Sequence, residues 1–298
     1  MLNVVTKTQG ELVLKVAPQL GGAIAGLTYR DIDILRPLPN QDDVTVNQSG
    51  CFPLVPYSNR IGLGKFEFGG ERYELLKNFG DHPHSIHGNA WKGEWVVAEE
   101  SATGCVLKFL HQANADECHH WPWPYQATQT FELLENELRV TLKYFNLAER
   151  TVPVGLGFHP YFANADRSLI QLNADKVLLN NENTLPWAIV DVPKEWDFST
   201  LRRPQPDSVD NCFSGWDGHA NVIWAEQGIR AEMSSPDASN VIVFVSGAEK
   251  NFVAIEPVTN VNNAINDLTS GKSDQAMKLV DAGQSVSMAM IIKVSDYE

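Results

Sequence analysis

Between Glu137 and Tyr144 apolar and polar residues alternate without a break. Leu138, Val140, Leu142 and Tyr144 fall on one side, and Glu137, Arg139, Thr141 and Lys143 on the other. Successive side chains of a strand point to opposite faces, so this spacing predicts a ribbon with one buried and one wet face. Glu135-Asn136 supplies a turn, and Tyr125 to Asn146 reads as a hairpin. The same period of two recurs in Leu12 to Val16 and Cys105 to Leu110, and Asn221 to Trp224, Ile229 to Met233, Val241 to Val245, Phe252 to Glu256 and Val286 to Lys293 are further strand candidates. Gly, Asn, Asp and Pro clusters separate these runs. Only Val261 to Leu268 reads as helix, too little for a Rossmann or barrel fold with a helix between successive strands. The pattern predicts an all-β protein, one large antiparallel sandwich.

A chain of 298 residues can be one domain or two. No Gly/Ser/Pro-rich linker divides it and no fixed repeat is visible, so residues 1–298 are expected to form a single domain. The Pro-rich stretch from Pro186 to Pro206 reads as a long surface loop.

The formal net charge of -14, with no compensating run of Lys or Arg, argues against nucleic acid and anionic membrane surfaces as partners. A neutral substrate suits that field best, although one local Arg can override it at short range. The N-terminus shows no export signal and no segment approaches the roughly 20 apolar residues of a membrane span. Cys51, Cys105, Cys118 and Cys212 form no CxxC pair, which fits reduced thiols and a cytoplasmic location.

Four segments could carry chemistry. Pro53 to Gly62 ends an irregular, proline-fixed stretch in Asn59-Arg60-Ile61, which is either a surface salt bridge or a fork of donors for sugar hydroxyls. Asp81 to Trp91 holds His82, His84 and His87, with Trp91 close behind. The HxH spacing invites a metal, yet Asp81 and Glu94 are the nearest acids, no HExxH is present, and a polar loop with one useful histidine is the better reading. Gly155 to Phe162 places His159 before Pro160, which biases its backbone to extended geometry, beside Tyr161 and Phe162, rings on which a pyranose can pack. Ala254 to Asn260 runs an apolar strand into Glu256, and a carboxylate there is costly unless it is paired or has a task. Asp210 and Asp217 belong to an aromatic-rich loop, where capping or turning the backbone is the usual employment of Asp.

Asn-Arg-Ile at Asn59, His87-Gly88 before Trp91, His159-Pro160-Tyr161-Phe162, Asp210-x-x-Phe213 and Glu256-Pro257 occur in one order across most of the chain. In that order they resemble the aldose 1-epimerase, or galactose mutarotase-like, family. Gly215 to Gly218, Gly-Trp-Asp-Gly, is similar to a bacterial branch of mutarotase-like proteins. The resemblance implies a β-supersandwich with an open sugar cleft. It implies Glu256 as the base at the C1 hydroxyl, His159 as the acid at the ring oxygen and His87 assisting there. Arg60, Asn59, Asp210, Tyr161 and Trp91 would hold the sugar. Ring opening needs only an acid and a base, and a Glu and a His, with ordinary pKa values of about 4.3 and 6.5, bracket near-neutral pH. Neither metal nor cofactor is expected, and the partner is a small aldose.

Asn89, where many members have a second glycine, and the Asn-rich Val261 to Ala264 depart from the pattern, which leaves the sugar open. A hexose 6-phosphate would call for an extra cationic pair near the cleft. The sequence places none, and it leaves monomer and homodimer equally open. Two other functions compete: a non-catalytic carbohydrate-binding or sensing protein on the same fold, and a metal-dependent enzyme using His82, His84 and His87.

Overall fold

The computed structural model describes residues 2–266 and 277–298. The expected hairpin is present as Tyr125–Leu133 and Glu137–Asn146, whose antiparallel register pairs Leu133 with Leu138 and Tyr125 with Asn146. Burial alternates along Glu137–Asn146 as the sequence predicts.

Two large sheets, each antiparallel between neighbouring strands, carry the molecule. One has eight strands in the order Val96–Glu100, Gly104–His111, Tyr125–Leu133, Glu137–Asn146, Ser285–Asp296, Ile229–Ser234, His219–Trp224, Leu169–Leu172. The other has twelve. Val5–Gln9, Leu12–Ala17, Ala23–Tyr29 and Ile32–Leu35 lead in from one edge, followed by Tyr161–Ala163, Phe252–Val258, Asn240–Val245, Asp210–Ser214, Lys176–Asn180 and Pro186–Asp191. Gly157–Phe158 joins Phe252–Val258 off this path and also pairs with Pro53–Leu54. Among the described residues no helix reaches seven residues. The fold is all-β and antiparallel, as the strand pattern predicted, and is the β-supersandwich that the resemblance implied.

The buried apolar residues form one cluster that draws on both sheets. Leu138, Val140, Leu142 and Tyr144 belong to it together with Val241, Val243, Val253 and Ile255. At roughly 1.5–3 kcal/mol for a fully buried Leu, Val or Ile, these inward rows drive the sheets together.

Two expectations are corrected. Pro186 to Pro206 is not loop throughout, because Pro186–Asp191 forms an edge strand against Lys176–Asn180 with alternating exposure. Pro186 opens that strand at the sheet edge, where a missing N–H interrupts no ladder. Of the helix expected from Val261 to Leu268, residues 261–266 hold turns and a short 3-10 segment at 264–266, and 267–268 lie outside the described residues.

Candidate active site

Sheet register explains how two residues far apart in sequence meet. Gly157 pairs with Val258, and Tyr161 pairs with Ala254. The same antiparallel register carried across the break at His159-Pro160 sets His159 opposite Glu256. Glu256 therefore lies inside Phe252–Val258, across from Ile242, and not at the strand's tail.

His159 Nε2 lies 3.2 Å from Glu256 Oε1. The residues are 7% and 2% exposed, and both His159 Nδ1 and Glu256 Oε2 lack a hydrogen-bond partner among the described residues. Burial disfavours charge on either group. It raises the Glu256 carboxyl well above its ordinary range, with Asp210 adding to the rise and Arg60 opposing it. Burial, and then the nearby Arg36 cation, push His159 down to about 3. The state these shifts favour is a neutral pair holding one proton.

Asn59 and His87 lock together through their backbones, each in left-handed geometry with φ of 58° and 62°. The His87 N–H donates to the Asn59 carbonyl at 2.9 Å, and the Asn59 N–H donates to His87 Nδ1 at 3.2 Å. An imidazole that accepts at Nδ1 carries its proton on Nε2, so His87 presents a neutral N–H donor. Burial first, and then His159, hold its pKa well below the ordinary value. Its ring meets that of His159 edge-on, 5.3 Å between centroids.

Arg60 gathers the polar side of the site. Its guanidinium donates to Asn59 Oδ1 at 3.0 Å, to Asp210 Oδ2 at 3.4 Å and toward His82 Nε2 at 3.3 Å. Asp210 opens the strand Asp210–Ser214 and so is not in a loop, contrary to expectation. The Val-Asp-Asn-Cys-Phe segment is a strand because Asn211, Cys212, Phe213 and Ser214 are all buried, between Lys176–Asn180 and Asn240–Val245. Asp217 takes the turn role instead, accepting from the His219 N–H at 3.0 Å.

A cavity of about 550 Å³ opens beside the pair, with His87, Trp91, His159 and Tyr161 in its wall. Trp91 stacks on Phe52 at 5.3 Å, and Tyr161 lies 4.4 Å from the His159 ring with its hydroxyl 3.5 Å from Nε2. Glu256 does not line this cavity and contacts its wall through His159. Phe52, Arg36 and Lys250 also line it and were not picked out from sequence. Arg36 directly follows the strand Ile32–Leu35, a position that in sequence looks like an ordinary strand end.

The histidine cluster is committed elsewhere. His84 is buried, its Nδ1 accepts from the Leu63 N–H at 2.9 Å, and its Nε2 lies 2.6 Å from the Asn183 carbonyl. His82 faces donors on both nitrogens, Arg60 and the His84 N–H, of which a neutral ring can accept one. With His87 Nδ1 also engaged, the three do not present a shared set of free nitrogens. Asn89, at the departure from the family pattern, is used structurally, accepting from the Tyr125 hydroxyl at 2.6 Å and lying 3.1 Å from His111 Nδ1.

The uncharacterised protein YphB of Escherichia coli (strain K12) is 30% identical over 267 residues, 87% of this chain and 89% of its own. Galactose mutarotase of Mus musculus is 27% identical over 154 residues, 49% of this chain and 43% of the mouse protein. A galactose mutarotase-like protein from Clostridium acetobutylicum shares the fold with a TM-score of 0.85 at 18% identity, covering 99% of each chain. The family model for aldose 1-epimerase matches residues 3–293, and the chain belongs to the aldose 1-epimerase family.

Proposed function

We propose that this protein is a mutarotase that interconverts the α and β anomers of an aldose with a free C1 hydroxyl. One observation carries the reading. His159 and Glu256, set opposite each other by sheet register, are 3.2 Å apart, with one unpartnered polar atom on each. Ring opening removes a proton from the C1 hydroxyl and delivers one to the ring oxygen. Once the proton of the neutral pair crosses from Glu256 to His159, Glu256 can accept and His159 can donate, and the pair's proton count is unchanged at the end. Closure on either face of the aldehyde reverses the roles.

His87, a neutral Nε2–H donor, supports the ring oxygen as charge develops there. Arg60, with Asp210 and Asn59 on its guanidinium, holds hydroxyls, and Trp91 and Tyr161 wall the cavity beside the pair. The reaction asks for no cofactor. The test is anomer exchange, followed by polarimetry or saturation-transfer NMR, on freshly dissolved α-glucose and α-galactose. Wild type should exceed the spontaneous rate and Glu256→Gln should not. Sugar binding without faster exchange would make the protein a carbohydrate-binding module.

A further inference from the structure

The cavity beside the acid–base pair has a charged wall that a neutral sugar would leave unused. Arg36 and Lys250 both line it, and among the described residues no Asp or Glu does. Arg36 is half-buried and is held in place by carbonyls. Its Nε donates to Ser49 O at 3.1 Å, and its Nη2 donates to Asn47 O at 2.5 Å and to Ser49 O at 2.8 Å. Its plane lies over two rings, 4.0 Å from the centroid of Tyr161 and 4.4 Å from that of Phe252. Carbonyls and ring faces fix the guanidinium without neutralising it, and among the described residues no carboxylate comes within ion-pair distance of Arg36 or Lys250. The Glu249 carboxylate, next to Lys250 in sequence, lies instead beside Gly247. A cation withdrawn from water and left without a counter-charge is costly unless a ligand supplies one.

Resting on the mutarotase reading, we infer that the substrate is an acidic aldose, one that carries a carboxylate or phosphate remote from C1, seated between Arg36 and Lys250. Tyr161 touches both functions, its ring 4.4 Å from His159 and 4.0 Å from the Arg36 guanidinium. An anion bound there sits away from the reacting carbon. With Nε and Nη2 on the carbonyls, Nη1 of Arg36 is left to meet the anion, and the exposed Lys250 adds a mobile point charge. The net charge of -14 does not prevent this, because salt screens distant charges over about 8 Å while Arg36 acts at contact. Neutralising Arg36 also relieves its opposition to a protonated His159, so the anion that docks the sugar helps the acid form.

The test compares kcat/KM for anomer exchange of glucose and galactose with that of the corresponding hexuronates and hexose 6-phosphates, in wild type, Arg36→Met and Lys250→Glu. Wild type should prefer one of the acidic series by about 10- to 100-fold, as expected for charge-assisted bonds. The preference should shrink toward unity in both variants and with added salt. The hexuronate and phosphate arms tell which anion is accepted. Arg36 anchors the segment at Asn47–Ser49, so if Arg36→Met does not fold, the exposed Lys250→Glu carries the test. Neutral sugars turned over as well as acidic ones, or a preference unmoved in Lys250→Glu, would overturn the inference and leave the mutarotase reading standing. No acceleration of any aldose would overturn both.

Discussion

His87 and Asn59 exchange hydrogen bonds across two left-handed backbones, and the imidazole nitrogen that accepts the Asn59 N–H, at 3.2 Å, can no longer titrate freely. His87 is thereby a fixed, neutral donor, whereas His159 is free to carry the moving proton. His87→Ala should lower kcat/KM by about 10²-fold, the usual cost of one donor at a developing oxyanion. The shape of the pH profile should not change, since burial keeps His87 neutral through the working range. His159→Ala should alter the shape as well as the height. A changed profile in His87→Ala would assign it a titrating role and refute the donor assignment.

Asp210 and Arg60 pull Glu256 in opposite directions, Asp210 raising its pKa and Arg60 lowering it. Activity needs one proton on the pair, so it falls on the acid side when a second proton binds and on the basic side when the last one leaves. Burial opposes both charged states and widens the plateau: the acid limb lies below the ordinary histidine value, and the basic limb above the ordinary carboxylate value. Asp210→Asn should shift the basic limb to lower pH and Arg60→Met should shift it to higher pH. Limbs that move together, or not at all, would place that limb on another group.

The elements that were legible in the sequence are those whose pattern is local. The hairpin from Tyr125 to Asn146 declares itself because one face must be wet and the next dry. Glu256 stood out because an acid in an apolar strand needs a reason. That His159 is its partner depends on register across the Gly157–Val258 and Tyr161–Ala254 pairs, which only the sheet supplies. The fates of His82 and His84 are likewise non-local, since the Leu63 N–H and the Asn183 carbonyl reach His84 from distant segments. Arg36 was illegible for a stronger reason. A sequence shows a cation but not whether a carboxylate stands beside it, and the want of one among the described residues is what makes Arg36 informative. Pro186 misled because proline is commoner in loops, while its tolerated place at a strand edge depends on topology.

Glu256→Gln should stabilise the fold at neutral pH while abolishing turnover. The folded carboxyl titrates above its unfolded value, so the folded state holds a proton that the unfolded chain releases. Stability then declines as pH rises from the unfolded value of about 4.3 toward the raised folded value. Gln does not titrate, and His159, present in both proteins, cancels in the comparison. The difference in Tm between variant and wild type should therefore be small near about pH 4 and grow by about pH 8, at roughly 2–4 °C per kcal/mol for a chain somewhat shorter than this one. A difference that is flat with pH would show that Glu256 is not strained by its burial.

Gly88 holds His87 in place from the other side. Its φ is +70°, and a Cβ there would lie 2.2 Å from the Val55 carbonyl oxygen and 2.6 Å from Pro56 Cδ. Its own carbonyl accepts from Trp91 Nε1 at 3.1 Å and from Asn78 Nδ2 at 2.9 Å, so the backbone cannot retreat without breaking bonds to both. Gly88→Ala meets a conformational penalty and a backbone clash together, and should cost about 3 kcal/mol or more in urea unfolding. Because the neighbouring His87 and the wall residue Trp91 move with that turn, the folded fraction should also lose kcat/KM. A stability within about 1 kcal/mol of wild type would mean that the turn can relax and that the glycine is not the constraint that fixes His87.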